Sequence, residues 1–157
     1  DPEAFSKLCQ IEDSRLSKFN EALWDSDGTS ILFRHKLWLE NHSHTSSSLL
    51  KSKSNVDQMN SVTVIKTDVA RIIEDSNYKA ITFKMDIEGA ELSALKGAYN
   101  TILKYKPKLA VCIYHLPNDL WEIILYIKEQ FPFYDLSVRT HQFDGLDFVL
   151  YAIPNSK

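Results

Sequence analysis

Apolar positions along this chain recur with two periods, and their alternation predicts the order of its elements. Phe5, Leu8 and Cys9 fall on one face of a helix, and Asp1-Pro2-Glu3 ahead of them supplies a capping residue, a proline at the first helical position and an acid in the first turn. Leu16 to Trp24 is mixed in pattern but ends on Ala22-Leu23-Trp24, which predicts a strand. Asp25-Ser26-Asp27-Gly28 then reads as a turn, with Ser30 to Arg34 as the returning strand. Residues 41 to 61 are serine-rich, with Leu49, Leu50, Val56 and Met59 as the apolar anchors, and predict a loop. Val62, Val64 and Ile65 read as a strand, after which Asp68 caps a helix bearing Val69, Ile72 and Ile73.

The second half has a clearer rhythm. Ala80 to Met85 is a short strand, and Glu88 to Leu103 a helix with Leu92, Leu95, Ala98, Tyr99, Ile102 and Leu103 as its stripe. Leu109 to Tyr114 is apolar on both faces, as a central parallel strand is when helices cover both sides. Asp119 to Gln130 is the next helix, with Asp119 and Glu122 spaced as a capping box and Leu120, Ile123, Ile124 and Ile127 facing inward. Tyr134 to Val138 and Phe148 to Ala152 are two strands joined by a turn around Asp144-Gly145. This order describes an open α/β sheet with an antiparallel end. Ligands of such sheets sit beyond the carboxyl ends of the parallel strands, where Asp86 to Glu91 and His115 to Asp119 stand.

Composition narrows the classes. At 157 residues and 44% hydrophobic the chain builds one core. With 18 basic against 21 acidic residues the formal charge is −3, so no basic field gathers nucleic acid, and no nucleic-acid partner is expected. Apolar runs reach six residues, as in Leu109 to Tyr114, against the ~20 that cross a bilayer. Two cysteines, Cys9 and Cys112, make neither a disulfide framework nor a zinc cluster, and a cytoplasmic location is expected. The chain opens on Asp1 with no signal-peptide pattern, which leads to the expectation that it is an excerpt.

Lys84-Met85-Asp86-Ile87-Glu88-Gly89-Ala90-Glu91, followed by Leu95-Lys96-Gly97-Ala98 and Pro107, resembles the signature of the FkbM family of S-adenosylmethionine-dependent methyltransferases. Tyr114-His115 with Asp119-Leu120, the closing Asp147-Phe148-Val149-Leu150-Tyr151-Ala152, and the opening Asp1-Pro2-Glu3-Ala4-Phe5 with Ala22-Leu23 and Asp27-Gly28 extend the likeness along nearly the whole chain. The resemblance implies a Rossmann-like class I methyltransferase sheet with an antiparallel C-terminal strand and S-adenosylmethionine as cofactor. The four glycines, Gly28, Gly89, Gly97 and Gly145, form no Gly-x-Gly loop. By the family pattern, residues 1–157 are then one partial domain, truncated N-terminally before its third strand, with an exposed sheet edge through which copies associate.

Methyl transfer from a sulfonium is an in-line displacement, and a hydroxyl acceptor must lose a proton. His115 is the first candidate for the base, since its pKa suits the role, and Asp86 is the second, with a carboxylate that also fits the cofactor's ammonium. The resemblance puts an adenine contact near Ala22 to Asp25, hence Leu23. Glu88 and His141 are assigned to the acceptor side, although a first-turn position already accounts for Glu88 and Glu91 through the helix dipole. His42 and His44 alternate as metal ligands do, but His35 and they lack a cluster, and no metal is expected. Tyr99, Trp121 and Tyr126 read as packing.

The leading expectation is an O-methyltransferase acting on a hydroxyl of a sugar, glycan or small metabolite, impaired as this stretch alone. The alternatives are a non-enzymatic remnant or partner-binding module without cofactor, and a metal-dependent hydrolase using Asp86, Glu88 and His115.

Overall fold

The computed structural model describes residues 1–37, 47–76, 82–141 and 147–155. Asp1 caps helix α1 (Pro2–Cys9) by accepting from the amides of Glu3 and Ala4 at 2.9 and 3.3 Å. Strands β1 (Glu21–Trp24), β2 (Gly28–His35) and β3 (Val56–Asp68) come next. They form a sheet in the order β1-β3-β2, with β1 parallel and β2 antiparallel to β3. The predicted pairing of β2 with its predecessor is therefore replaced: the long β3 lies between them. The strand expected from Leu16 starts only at Glu21. The expected loop is also shortened, because β3 already begins at Val56, which pairs with His35, and Ser61 pairs with Phe33 beyond an irregularity. A polar composition hid this strand, since ladder hydrogen bonds belong to the backbone whatever the side chain. Residues 41–46 of the serine-rich stretch lie outside the described residues, and Ser48 ties the segment leading to β3 onto the first sheet by exchanging backbone hydrogen bonds with Phe33 at 2.8 and 2.9 Å.

Asp68 begins α2 (Val69–Ser76), accepting from the Ala70 amide at 2.7 Å. Next come β4 (Thr82–Met85), α3 (Glu91–Gly97), α4 (Tyr99–Tyr105), β5 (Lys108–Cys112), α5 (Asp119–Gln130), β6 (Tyr134–Thr140) and β7 (Phe148–Pro154). The second sheet runs β4-β5-β7-β6; β4 and β5 are parallel, and β7 is antiparallel to both its neighbours. The architecture is thus mixed α/β with two sheets, where the residue pattern pointed to one. The turn predicted around Asp144-Gly145 lies outside the described residues.

One face of the second sheet carries Met85, Leu109, Val111, Ile113, Leu150 and Ala152 against Ala94, Leu95, Ala98 and Ile102 and against Ile123 and Ile127 of α5, all buried. Each large aliphatic side chain buried there contributes about 1.5–3 kcal/mol. Among the described residues, the opposite face is not covered in the same way. Ala110, Cys112, Val149 and Tyr151 line an open cleft, correcting the expectation of helices on both sides of β5.

The helix expected from Glu88 starts at Glu91. Residues 87 to 90 turn instead, with Glu88 at φ 60° and Gly89 at φ 96°, both left-handed. The helical run is irregular at Ala98, although hydrogen bonds from Ala98 to Ala94 and from Ile102 to Ala98 carry on through it. Helix α5 has its predicted bounds but another cap: Asn118 precedes it and donates from Nδ2 to Glu122 at 3.0 Å, while Asp119 accepts from the Leu116 amide at 2.8 Å. Leu120 and Trp121 are exposed, where both were expected to pack inward.

Candidate active site

Parallel β4 and β5 end side by side, so the residues beyond Met85 and Cys112 are brought together. Strand periodicity puts Lys84 and Asp86 on one face and Cys112 and Tyr114 beside them. Lys84 Nζ lies 2.9 Å from Asp86 Oδ2, and the Tyr114 hydroxyl donates to Oδ1 at 3.4 Å. His115 Nε2 is 3.3 Å from the same Oδ1. Partial burial pushes the Asp86 carboxyl up, but Lys84, helped by His115, outweighs it and holds the group below the ordinary carboxylate range. Its side chain remains 44% exposed and faces the cleft.

Behind it lies His115, whose side chain is only 4% exposed. Its Nδ1 sits 2.8 Å from Glu91 Oε1, and its Nε2 3.8 Å from Glu88 Oε2. Burial pulls the imidazole pKa down, yet Glu91 and then Glu88 overcome this and raise it. Glu91, fully buried, also accepts from the amides of Ile87 at 2.8 Å and Gly89 at 2.9 Å, so the first residue of α3 closes the turn before it. Glu88 is held from the serine-rich side: Ser48 Oγ donates to its carbonyl at 2.7 Å, and Lys53 Nζ meets its carboxylate at 2.5 Å. Being left-handed, Glu88 is outside the helix, and the dipole argument made for it from sequence falls away.

The cleft encloses about 320 Å³, with Ala110 and Cys112 as floor and Tyr114, His141 and Tyr151 around it. His141 Nε2 and the Tyr151 hydroxyl are 2.8 Å apart. Burial, then Asp86, pushes the Cys112 thiol up to about 11, so it is no nucleophile at neutral pH. The same causes raise the Tyr114 hydroxyl, which stays a proton donor.

The structure gathers Asp86, Glu88 and His115 and sets His141 on the cleft with Asp86. His115 does not line that cleft. Leu23 is elsewhere, packed against the core in a strand whose Trp24 carbonyl reaches Gly97, at the far end of α3 from Glu91. Sequence reasoning passed over Lys84 and Tyr114, although the two-residue spacings Lys84-x-Asp86 and Cys112-x-Tyr114 would have found them.

An α/β fold with charged groups collected past adjacent parallel strand ends belongs to the broad class of domains that bind small ligands there. Residues 12–143 match the family model described as the Methyltransferase FkbM domain, and the chain belongs to that family. It is also similar to a crystal structure at 2.20 Å resolution of Methyltransferase FkbM from Methylobacillus flagellatus KT, with 25% identity and a TM-score of 0.63. The match covers 96% of this chain and 32% of that one, so the chain spans about a third of that protein's length. No curated protein sequence matches it. Among the described residues, no helix is long and apolar enough to cross a membrane.

Proposed function

We propose that the protein transfers a methyl group from S-adenosylmethionine to a hydroxyl of a sugar or other small metabolite, with the acceptor in the cleft beside Asp86. The observation that carries this reading is the Asp86 carboxylate, facing the cleft and kept charged by Lys84 with His115 behind it. The residues fit the amino-acid end of the cofactor: Asp86 offers an exposed anion for the ammonium, on a cleft with the small apolar floor of Ala110 and Cys112. Leu23, expected at the adenine, packs against the core, and the sequence has no Gly-x-Gly turn.

When bound, the cofactor supplies a methyl group on a sulfonium. The protein's part is positioning and proton handling. Asp86 accepts a hydrogen bond from the acceptor's hydroxyl and takes its proton, and buried His115 stands 3.3 Å behind the carboxylate. Tyr114 donates to the same carboxylate and fixes its rotamer. His141, hydrogen-bonded to Tyr151, bounds the acceptor side.

Calorimetric titration with S-adenosylhomocysteine tests the reading. Binding that weakens tenfold or more in Asp86→Asn and survives in His141→Ala supports it. Absence of binding, or equal affinity in Asp86→Asn, overturns it and leaves the partner-binding reading.

A further inference from the structure

Glu91, His115 and Asp119 come from three segments, the start of α3, the residues after β5 and the start of α5, and one ligating atom of each lies within 4.8 Å of the others. Glu91 is fully buried and Asp119 is 4% exposed. Among the described residues, no lysine or arginine pairs with either: Lys53 is taken by Glu88 and Lys84 by Asp86. Two neighbouring buried carboxylates whose one close cation-forming group among the described residues is the His115 imidazole carry a large desolvation cost unless a proton or a metal ion joins them. Burial raises the Asp119 carboxyl, and the Glu91 charge adds to that.

The imidazole is the second observation. It is more than nine-tenths buried, yet neither ring nitrogen makes a hydrogen bond. Its Nδ1 is 2.8 Å from Glu91 Oε1, near enough for one but misdirected. A contact this short that is not a hydrogen bond is the spacing of two ligands sharing a cation. Ligands about 2.1 Å from an ion, at right angles, stand about 3 Å apart.

We infer that Glu91, His115 and Asp119 form a closed site for one divalent cation of the manganese or zinc type, beneath Asp86. One imidazole nitrogen and two carboxylates are the donor set such ions take. With the ion on Nδ1, the remaining proton sits on Nε2, 3.3 Å from Asp86 Oδ1. This carboxylate–histidine–metal chain fixes the tautomer and orients the group that faces the cleft. None of the three ligands lines the cleft, so the ion's role is to pin the turns after β4 and β5. The inference does not depend on methyl transfer.

The test is a titration of the EDTA-treated, dialysed protein with Mn²⁺, followed by electron paramagnetic resonance, with Zn²⁺ in parallel by calorimetry. The expected result is one ion per chain, a raised melting temperature, and affinity reduced tenfold or more in both Asp119→Asn and His115→Gln. Asparagine at 119 still accepts from the Leu116 amide, and far-UV circular dichroism checks that each variant is folded. A His42→Ala/His44→Ala double variant keeps the site. Absence of binding of either ion up to about 1 mM, affinity unchanged in the folded variants, or loss in the His42/His44 double variant overturns the inference.

Discussion

The Nδ1 atom of His115 lies 2.8 Å from Oε1 of Glu91, a carboxylate with no solvent exposure that also accepts the amides of Ile87 and Gly89. One buried side chain thus closes the left-handed turn after β4 and sets the histidine behind Asp86. Removing it strands two amides and takes away the carboxylate beside Nδ1 of His115. Glu91→Ala is expected to cost about 3 kcal/mol or more, since each buried group left unsatisfied costs about 1–3 kcal/mol. Glu91→Gln keeps acceptor capacity and loses the charge, and is expected to cost less than half of that. Urea denaturation of the two variants checks the ranking.

The same pair sets a pH dependence in metal-free protein. The His115 pKa in the folded protein is raised above its ordinary 6.5, because Glu91 and Glu88 outweigh burial. Its stabilisation is therefore full below about pH 6.5 and is lost as pH rises through the folded value. Asp119, raised by burial with Glu91 adding to it, acts in the same sense. Asp86, lowered by Lys84, acts oppositely: its stabilisation is present above about pH 3.8 and lost on acidification. Proton NMR of the His115 ring is expected to show a midpoint above 6.5 that falls in Glu91→Gln. A midpoint below 6.5 in the parent protein contradicts this account.

The readable parts of the sequence were those where pattern and tertiary setting agree. Helix α5 has its predicted bounds because Ile123 and Ile127 keep helical spacing, and Asp86 and His115 were legible as strand-end residues. Strand β3 was half hidden by its polar start, Val56 to Ser61, which has no apolar alternation to betray it and pairs with β2 at Val56 and Ser61, on either side of an irregularity. The start of α3 was misjudged because Glu88, left-handed here, has the composition of a first helical turn. Ser48 and Lys53 could not be read at all. Their part in holding Glu88 depends on a chain crossing about 40 residues distant in sequence, which no local period encodes.

Cys112 separates burial from reactivity. With its pKa pushed to about 11, only about one molecule in a thousand carries the thiolate at pH 8. Cys9 is exposed. A disulfide exchange reagent at pH 8 is expected to report one fast thiol per native chain and a second only after unfolding in denaturant. Two equally fast thiols would show that the floor of the cleft opens.

Gly97 explains in packing terms why a glycine stands in the Leu95-Lys96-Gly97-Ala98 stretch. A Cβ there would come to 2.3 Å from the Trp24 carbonyl oxygen and 3.0 Å from Asp25 Cα, both backbone atoms that no rotamer change can move aside. The last residue of α3 is thus where β1, and with it the first sheet, touches the helices over the second. In Gly97→Ala either β1 lifts away or the helix end shifts, and forced overpacking of this kind costs about 1–3 kcal/mol, sometimes more. For a chain of this size each kcal/mol lowers the melting temperature by about 2–4 °C, so a drop of several degrees is expected. Lys96→Ala, at an exposed neighbour, should stay within about 0.5 kcal/mol of the parent. Equal melting temperatures for the two variants would mean that β1 does not bear on α3 in solution.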